Sequence, residues 1–361
     1  QLWNKEFDTL FDYTEDFLKF IQNSLPKEEQ QRYFEGNVSA FFAIICRSIQ
    51  EKVKTVTENG KTISLTNIKR AGTDTIKNHL NQMKKRPNLP NMPENFDKQV
   101  LNGRESIINK IIKDVFVKLP ISKKNRQLLS EIAGLLFIKD IFPKNTSGVV
   151  VAGYGKKDDF PSIIQLTIHG VVDNIVKYRI EQKENITFEN NAIIMPFAQK
   201  EMVSTFMEGV NPIYEQMVNG VLSQILNEYP KILLQNISQI QVQEQEKMLA
   251  VLLKIGVKMK SEIIQMFDNY KLKEFISPIL GAVGALPKDE LATMAETLVN
   301  LTSFKRKMSL DAETVGGPID VAVISKGDGF VWIKHKHYFD PELNHHFFKN
   351  YFGKPEGEEE S

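Results

Sequence analysis

Cysteine is almost missing: Cys46 is the only one in 361 residues, so no disulfide framework can form within the chain. That usage fits a reducing cytoplasm, the compartment expected for this protein. Cys46 ends the run Phe41-Phe-Ala-Ile-Ile-Cys46, where it reads as a small buried hydrophobe rather than a reactive thiolate. An excess of charge of one sign is missing as well. The 46 Lys and Arg balance 45 Asp and Glu, which leaves no strong field to attract nucleic acid or an anionic membrane, and neither is an expected partner. No apolar run approaches the roughly 20 residues that span a bilayer, and no charged segment followed by an apolar stretch opens the chain. It begins at Gln1 rather than Met, as a processed, trimmed or incomplete chain would.

What is present is ample core material. With 42% hydrophobic and 25% charged residues, the chain can bury one large domain or two ordinary ones. Residues 1–53 repeat large apolar side chains at helical spacing through Leu10, Tyr13, Phe17, Phe20 and Ile21. They break at Ser24-Leu-Pro26 and resume through Phe34 and Phe41 to Ile49, which predicts two amphipathic helices. The aromatic series Phe7, Phe11, Phe17 and Phe20 suits helix packing better than ligand stacking. Next, Asn59-Gly60 stands between two β-prone runs and predicts a small hairpin over 53–65, inserted between helices. Three prolines in 84–93 exclude regular helix and predict an extended connector. Helical spacing returns over Leu101–Phe116 and Gln127–Ile141.

From Gly148 the period changes to two. Val149–Ala152, then Ile164, Leu166 and Ile168 alternating with Gln165, Thr167 and His169, then Val171–Ile180, predict three strands. Their close spacing makes them antiparallel neighbours. A long helical stretch follows over 199–279, with interruptions expected near Pro212, Pro230 and Pro278, and the Gln-rich part Gln235–Gln245 reads as solvated helix surface. Pro287 followed by Asp289 and Glu290 starts a further helix, which closes on Lys305-Arg-Lys307. Val321–Ser325 and Phe330–Ile333 form a hairpin around Lys326-Gly-Asp-Gly329. The last residues, 353–361, are polar and acidic and are expected to fray.

Three chemistry-bearing patterns compete with simpler readings. Gly153-Tyr-Gly155 has the look of a phosphate loop, yet Pro161 and a strand follow where a helix N-terminus is needed, so a tight strand exit is the better reading. His335, His337, His345 and His346, near Asp340 and Glu342, match no structural zinc spacing and read as a solvated edge; no metal and no cofactor is expected. Asp158-Asp159 read as turn residues.

One set of segments carries a resemblance: Val149-Val-Val-Ala-Gly-Tyr-Gly155, Phe160-Pro-Ser-Ile163, Leu291-Ala-Thr-Met-Ala-Glu-Thr-Leu-Val299, Val315-Gly-Gly-Pro-Ile-Asp-Val-Ala-Val-Ile324 and Gly329-Phe-Val-Trp332. In this order they resemble the second half of proteasome-type β subunits and their bacterial relatives, of the N-terminal-nucleophile hydrolase superfamily. The match covers about residues 145–335. It implies an α+β fold, an αββα sandwich with two antiparallel sheets between helical layers and, here, extra helices. The expected division is a mainly helical region over 1–145, the proteasome-like core over 146–340 and a tail over 341–361. It also implies a ring-shaped homo-oligomer and a peptide or protein substrate.

In that family an N-terminal Thr, Ser or Cys attacks the peptide carbonyl, and its own α-amine, with a pKa of roughly 8, takes the proton. Gln1 has no hydroxyl, and the early strands that would carry the nucleophile have no counterpart in 1–50, so this chain is expected to lack a complete proteolytic site. Met195-Pro-Phe-Ala-Gln199 stands where the family often has a Gly-Ser pair. Ala312 and Val315 stand at the usual aspartate and serine positions, and Asp311 substitutes only after a one-residue shift. The supporting-site candidates are therefore Asp311, Gly316 and Gly317, where the glycines serve either a cleft or close backbone packing. The expected function is hydrolysis of peptide or amide bonds in a ring; a non-catalytic scaffold subunit on the same frame is the alternative.

Overall fold

The structure, a computed structural model, describes residues 5–58, 64–117, 119–143, 146–197, 200–237, 241–308, 317–337 and 339–352. It is a mixed α/β protein with two small antiparallel sheets, of three and two strands. The chain divides into two compact units, Gln1–Asn185 and Ile186–Ser361. No helix among the described residues is long and apolar enough to cross a membrane.

The first unit runs α1 (Leu10–Ser24), α2 (Lys27–Glu58), α3 (Leu65–Lys85), α4 (Phe96–Gln99), α5 (Glu105–Val115) and α6 (Lys123–Ile138). The strands β1 (Ser147–Gly153), β2 (Ser162–Val172) and β3 (Ile175–Asn185) follow. A reciprocal cap starts α1: Thr9 Oγ1 accepts from Asp12 N, and the Asp12 carboxylate accepts from Thr9 N. Asp158 does more than turn the chain, because its Oδ2 also accepts from Leu10 N and Gly155 N. Gly155 has to be glycine: a Cβ there would lie 2.2 Å from Thr9 Cα.

The main core grows from one row of α2. Phe34, Val38, Phe42, Ile45 and Ile49 are spaced at three or four and fully buried. They meet Ile76 and Leu80 of α3, Ile108 and Ile112 of α5, and Leu129, Ile132 and Leu136 of α6. Val53 continues that row against the same core, so residues 53–58 are helix and not the first strand of the expected hairpin. Asn59 and Gly60 themselves lie outside the described residues. Lys84 and Lys85 still end α3; from Arg86 the Pro-rich segment leaves the helix, pairs through Asn88 with Lys139 and turns over Leu89–Met92.

The three-stranded sheet has the order β1-β2-β3, with Val149 opposite Leu166 and Leu166 opposite Ile180. The expected third strand, Val171–Ile180, is two strands' ends around a turn. Asp173 and Asn174 take φ of 48° and 58°, as a two-residue type I′ hairpin loop demands, so Val171 and Val172 finish β2. Leu10 and Leu18 of α1 pack with Ile164, Leu166 and Ile168 of β2. The sheet packs through β2 against α1 and α2, and the first compact unit ends at Asn185.

The second unit contains α7 (Glu201–Glu208), α8 (Pro212–Gln235), α9 (Val242–Lys271), a π-helical turn (Leu272–Ile276), α10 (Ser277–Val283) and α11 (Lys288–Met308). The hairpin of β4 (Val321–Ser325) and β5 (Gly329–Lys334), a 3-10 turn (Pro341–Leu343) and α12 (His345–Phe352) complete it. Pro212 opens α8 beside the cap Asn211, as expected, but α8 runs on through Pro230 without the expected interruption. The Gln-rich segment is not one helix surface: Gln235 ends α8 and Gln241 stands before α9. These two helices are antiparallel, since Ser223 meets Lys260, Leu226 meets Gly256 and Glu215 meets Lys271. Buried apolar side chains are few among the described residues of this unit; Val203, Leu234, Val283 and Val321 are examples.

Candidate functional site

Of the three residues expected at a supporting site, Asp311 and Gly316 lie outside the described residues. Gly317 is described, with φ of 84°, a conformation that favours glycine, and it leads through Pro318 to β4. Just beyond, Asp320 accepts from Lys336 N at 2.7 Å, and this bond holds its carboxyl below the usual carboxylate range. His335 lies 3.5 Å from the same carboxylate and stacks on Trp332, while His337 packs among Phe339, Phe347 and Phe348. Among the described residues no three His, Cys, Asp or Glu side chains gather as metal ligands.

A cavity of about 450 Å³ opens in the second unit. One wall is the extended segment Ile193–Phe197; the other is α11, through Leu291, Ala295, Leu298 and Thr302 at helical spacing, with Val203 of α7 and Val283 of α10 between them. Thr302 turns its hydroxyl onto the Leu298 carbonyl, so even this polar side chain presents an apolar surface. No lining residue titrates. The cavity has the size of a small-ligand site and the chemistry to hold an apolar group, not to transform one.

The first unit holds a row of partly and fully buried polar groups that sequence reasoning did not single out. In β2 the register with β3 jumps between Ile168 and Gly170, leaving His169 as the extra residue of a bulge. Its Nδ1 lies 2.7 Å from the hydroxyl of Tyr33 on α2. The tyrosine ring fits only because position 170 is glycine, where a Cβ would stand 2.4 Å from the ring. Burial pushes the Tyr33 phenol up. Burial and then the charge of Lys177 push the His169 imidazole down to about 4. Lys177 itself is pushed down to about 7 by burial, against the pull of Asp140.

A buried lysine with such a pKa has the profile of a catalytic base. Its geometry assigns it a different role: Nζ donates to the carbonyls of Leu136 and Ile141 at 2.6 and 2.8 Å, and its side chain is fully buried, so it ties the end of α6 to β3. The pair Ser223 and Lys260 is also not an activated nucleophile. The ammonium donates to Ser223 Oγ at 2.6 Å, while the hydroxyl proton goes to the Asn219 carbonyl, the reverse of the proton flow that would activate serine. The available sequence signal for the buried row was weak: His169 occupies a polar position of an alternating strand, and Tyr33 sits one residue before the buried row of α2. Compared with protein families, curated proteins and solved structures, the chain finds no match.

Proposed function

We propose that this chain is a proteasome-like subunit of the N-terminal-nucleophile class, which offers an apolar pocket to a peptide substrate within a ring of like subunits. The frame this reading requires is the αββα sandwich, two antiparallel sheets between helical layers. The observation that carries it is the cavity of about 450 Å³, because its walls are Ile193–Phe197 and α11. These are the segment standing where the family places its Gly-Ser pair and the helix leading to Gly316-Gly317-Pro318. A wall of Ile, Met, Phe, Leu and Val side chains selects a large apolar side chain next to the scissile bond. The chemistry of the class is attack of an N-terminal hydroxyl or thiol on the peptide carbonyl. The α-amine takes the proton and returns it to the leaving amine, and water then hydrolyses the acyl-enzyme.

A non-catalytic scaffold on the same frame is the second reading, favoured by the commitment of Ser223 and Lys177 to structural hydrogen bonds. One experiment separates the two. The protein isolated from its native host is incubated with peptide amides carrying Leu or Phe, and separately Asp, before the cleavable bond, and its intact mass is read after exposure to a peptide electrophile. Turnover favouring Leu or Phe, with a covalent adduct, supports the hydrolase. Binding of the apolar peptides with neither turnover nor adduct supports the scaffold, and absence of binding removes both.

A further inference from the structure

We infer that one end of the helical bundle in the first unit binds the phosphate backbone of a nucleic-acid duplex, without reading its base sequence. This surface belongs to the first unit alone and does not rest on the hydrolase reading. The near-zero total charge hides a segregation along the chain: residues 47–126 carry 18 Lys and Arg against 7 Asp and Glu, and the compensating acids lie elsewhere in the sequence.

The fold gathers much of that excess at one end. A Cβ on Gly72 of α3 would stand 4.0 Å from Ile49 of α2. Asn125 at the start of α6 donates to Thr73 Oγ1 of α3 at 3.1 Å, and Arg126 donates to Asn109 of α5 at 3.3 Å. Lys69 and Lys77 stand one turn to either side of Thr73, and Lys123 and Lys124 directly precede Asn125, so these four cations line the same α3–α6 seam. Lys69, Arg70, Lys77, Lys113, Lys123 and Lys124 are exposed, and none forms an ion pair with a described residue. The acids in 47–55, 64–77 and 113–126 are only Glu51, Asp74 and Asp114. The positive charge reaches inward too: burial, and then Lys52 of α2, push the His79 imidazole of α3 down.

The chemistry of this end selects the partner. Lys123 and Lys124 fill the first turn of α6, and neither α6 nor α3 has an acid in its first turn. The helix macrodipole disfavours cations there and favours an anion, so a phosphate relieves the conflict. One small anion is too little. Along α3 alone, Lys69 and Lys77 are about 12 Å apart, a length over which a duplex presents about seven phosphates. The aromatic side chains in 47–126, Phe96 and Phe116, are both buried, and the large apolar side chains left exposed among its described residues are Leu65 and Val117. There is thus no platform on which the bases of a single strand would stack, and no aromatic belt to anchor a membrane surface.

The test is fluorescence anisotropy of labelled mixed-sequence DNA and RNA duplexes with the full chain, at salt from about 50 to about 200 mM. The expected result, for either duplex, is a Kd of about 1–100 μM that weakens at least about 40-fold across this range, as three or more phosphate contacts require. Two paired substitutions, Lys69→Glu with Arg70→Glu and Lys123→Glu with Lys124→Glu, should each weaken binding at least tenfold and flatten the salt dependence. Glutamate is favoured in a first helical turn, so the second pair tests the surface even if the first fails to fold. Lys247→Glu with Lys254→Glu, on α9, changes the net charge equally and should leave affinity unchanged. Absence of duplex binding overturns the inference, as does an affinity that both basic-end pairs leave intact or that the α9 pair lowers equally. A preference for single strands overturns it as well, and so does binding to phosphatidylserine vesicles without binding to duplex. The substituted residues lie outside the apolar cavity, so peptide turnover should match the wild type and the two readings fail separately.

Discussion

Arg104, the residue before α5, holds Asp173 in the β2–β3 turn with two charge-assisted hydrogen bonds of 2.8 and 2.5 Å, its guanidinium 4.8 Å above the ring of Phe34. The turn it holds has positive φ at both Asp173 and Asn174, the conformation a type I′ loop needs. Gln30 of α2 grips the second of them, accepting from Asn174 N and donating to its side-chain oxygen. Arg104→Ala is expected to lower stability by about 2 kcal/mol, since it leaves a half-buried carboxylate without its partner. Arg104→Lys should recover less than half of this, because an ammonium cannot form the two-pronged contact. Urea unfolding of the two variants checks both statements.

The close approach of Tyr33 to Gly170 gives a second expectation. Gly170→Ala puts a Cβ 2.4 Å from the ring, so the tyrosine must move and the bond to His169 breaks. The expected cost is about 2–3 kcal/mol. In the background of Tyr33→Ala the same substitution should cost well under 1 kcal/mol, since the obstructing ring is gone. Additive effects in that double-mutant cycle would show that the clash is not the cause.

His169 sets a pH dependence. Its folded pKa, about 4, lies below the ordinary 6.5, so between these values the unfolded chain binds a proton that the folded chain does not. Stability therefore falls as pH drops from about 6.5 to about 4, and this contribution levels off below. Discounted for the partial exposure of the ring, the loss is about 2 kcal/mol. His169→Gln should flatten this part of the profile, and denaturant midpoints measured across pH 4–7 for both proteins decide it. Direct support would be an imidazole NMR signal that stays in its neutral position down to pH 5.

Filling the cavity should abolish its ligand. Ala295→Phe projects a ring between α11 and the segment Ile193–Phe197, and peptide binding measured by calorimetry should weaken at least tenfold, about 1.4 kcal/mol. Thr297→Ala, on α11 but outside the lining, should leave affinity unchanged. Equal effects of the two would disconnect the cavity from peptide recognition.

Elements whose cause is local were legible from the residues. The break at Ser24-Leu-Pro26, the alternation through Ile164, Leu166 and Ile168, and the hairpin around Lys326-Gly-Asp-Gly329 all stand where periodicity and turn chemistry place them. Two local signals misled. The β-prone run before Asn59-Gly60 is helical because Val53 gains more from packing on the α2 core than its intrinsic preference costs, and propensity is a weak prior against tertiary contacts. The strand expected over Val171–Ile180 contains a turn, because Asp and Asn accept positive φ and the residues carried no glycine to announce it.

The site was less legible than the fold. Sequence spacing drew attention to Gly317 and to the histidines near the C-terminus, whereas the structure puts strongly perturbed groups at Tyr33, His169 and Lys177. Tyr33 and His169 are 136 positions apart and Arg104 and Asp173 are 69 apart.

Composition, periodicity, caps and turns determined by themselves that this is a mixed helical and antiparallel-strand chain without a disulfide framework, because each of those features acts within a few residues. Only the tertiary structure decided which polar groups meet, which lysine loses its water and which helix faces stay uncovered. Burial and long-range pairing depend on where distant segments come to rest, and no local pattern along the chain encodes that distance.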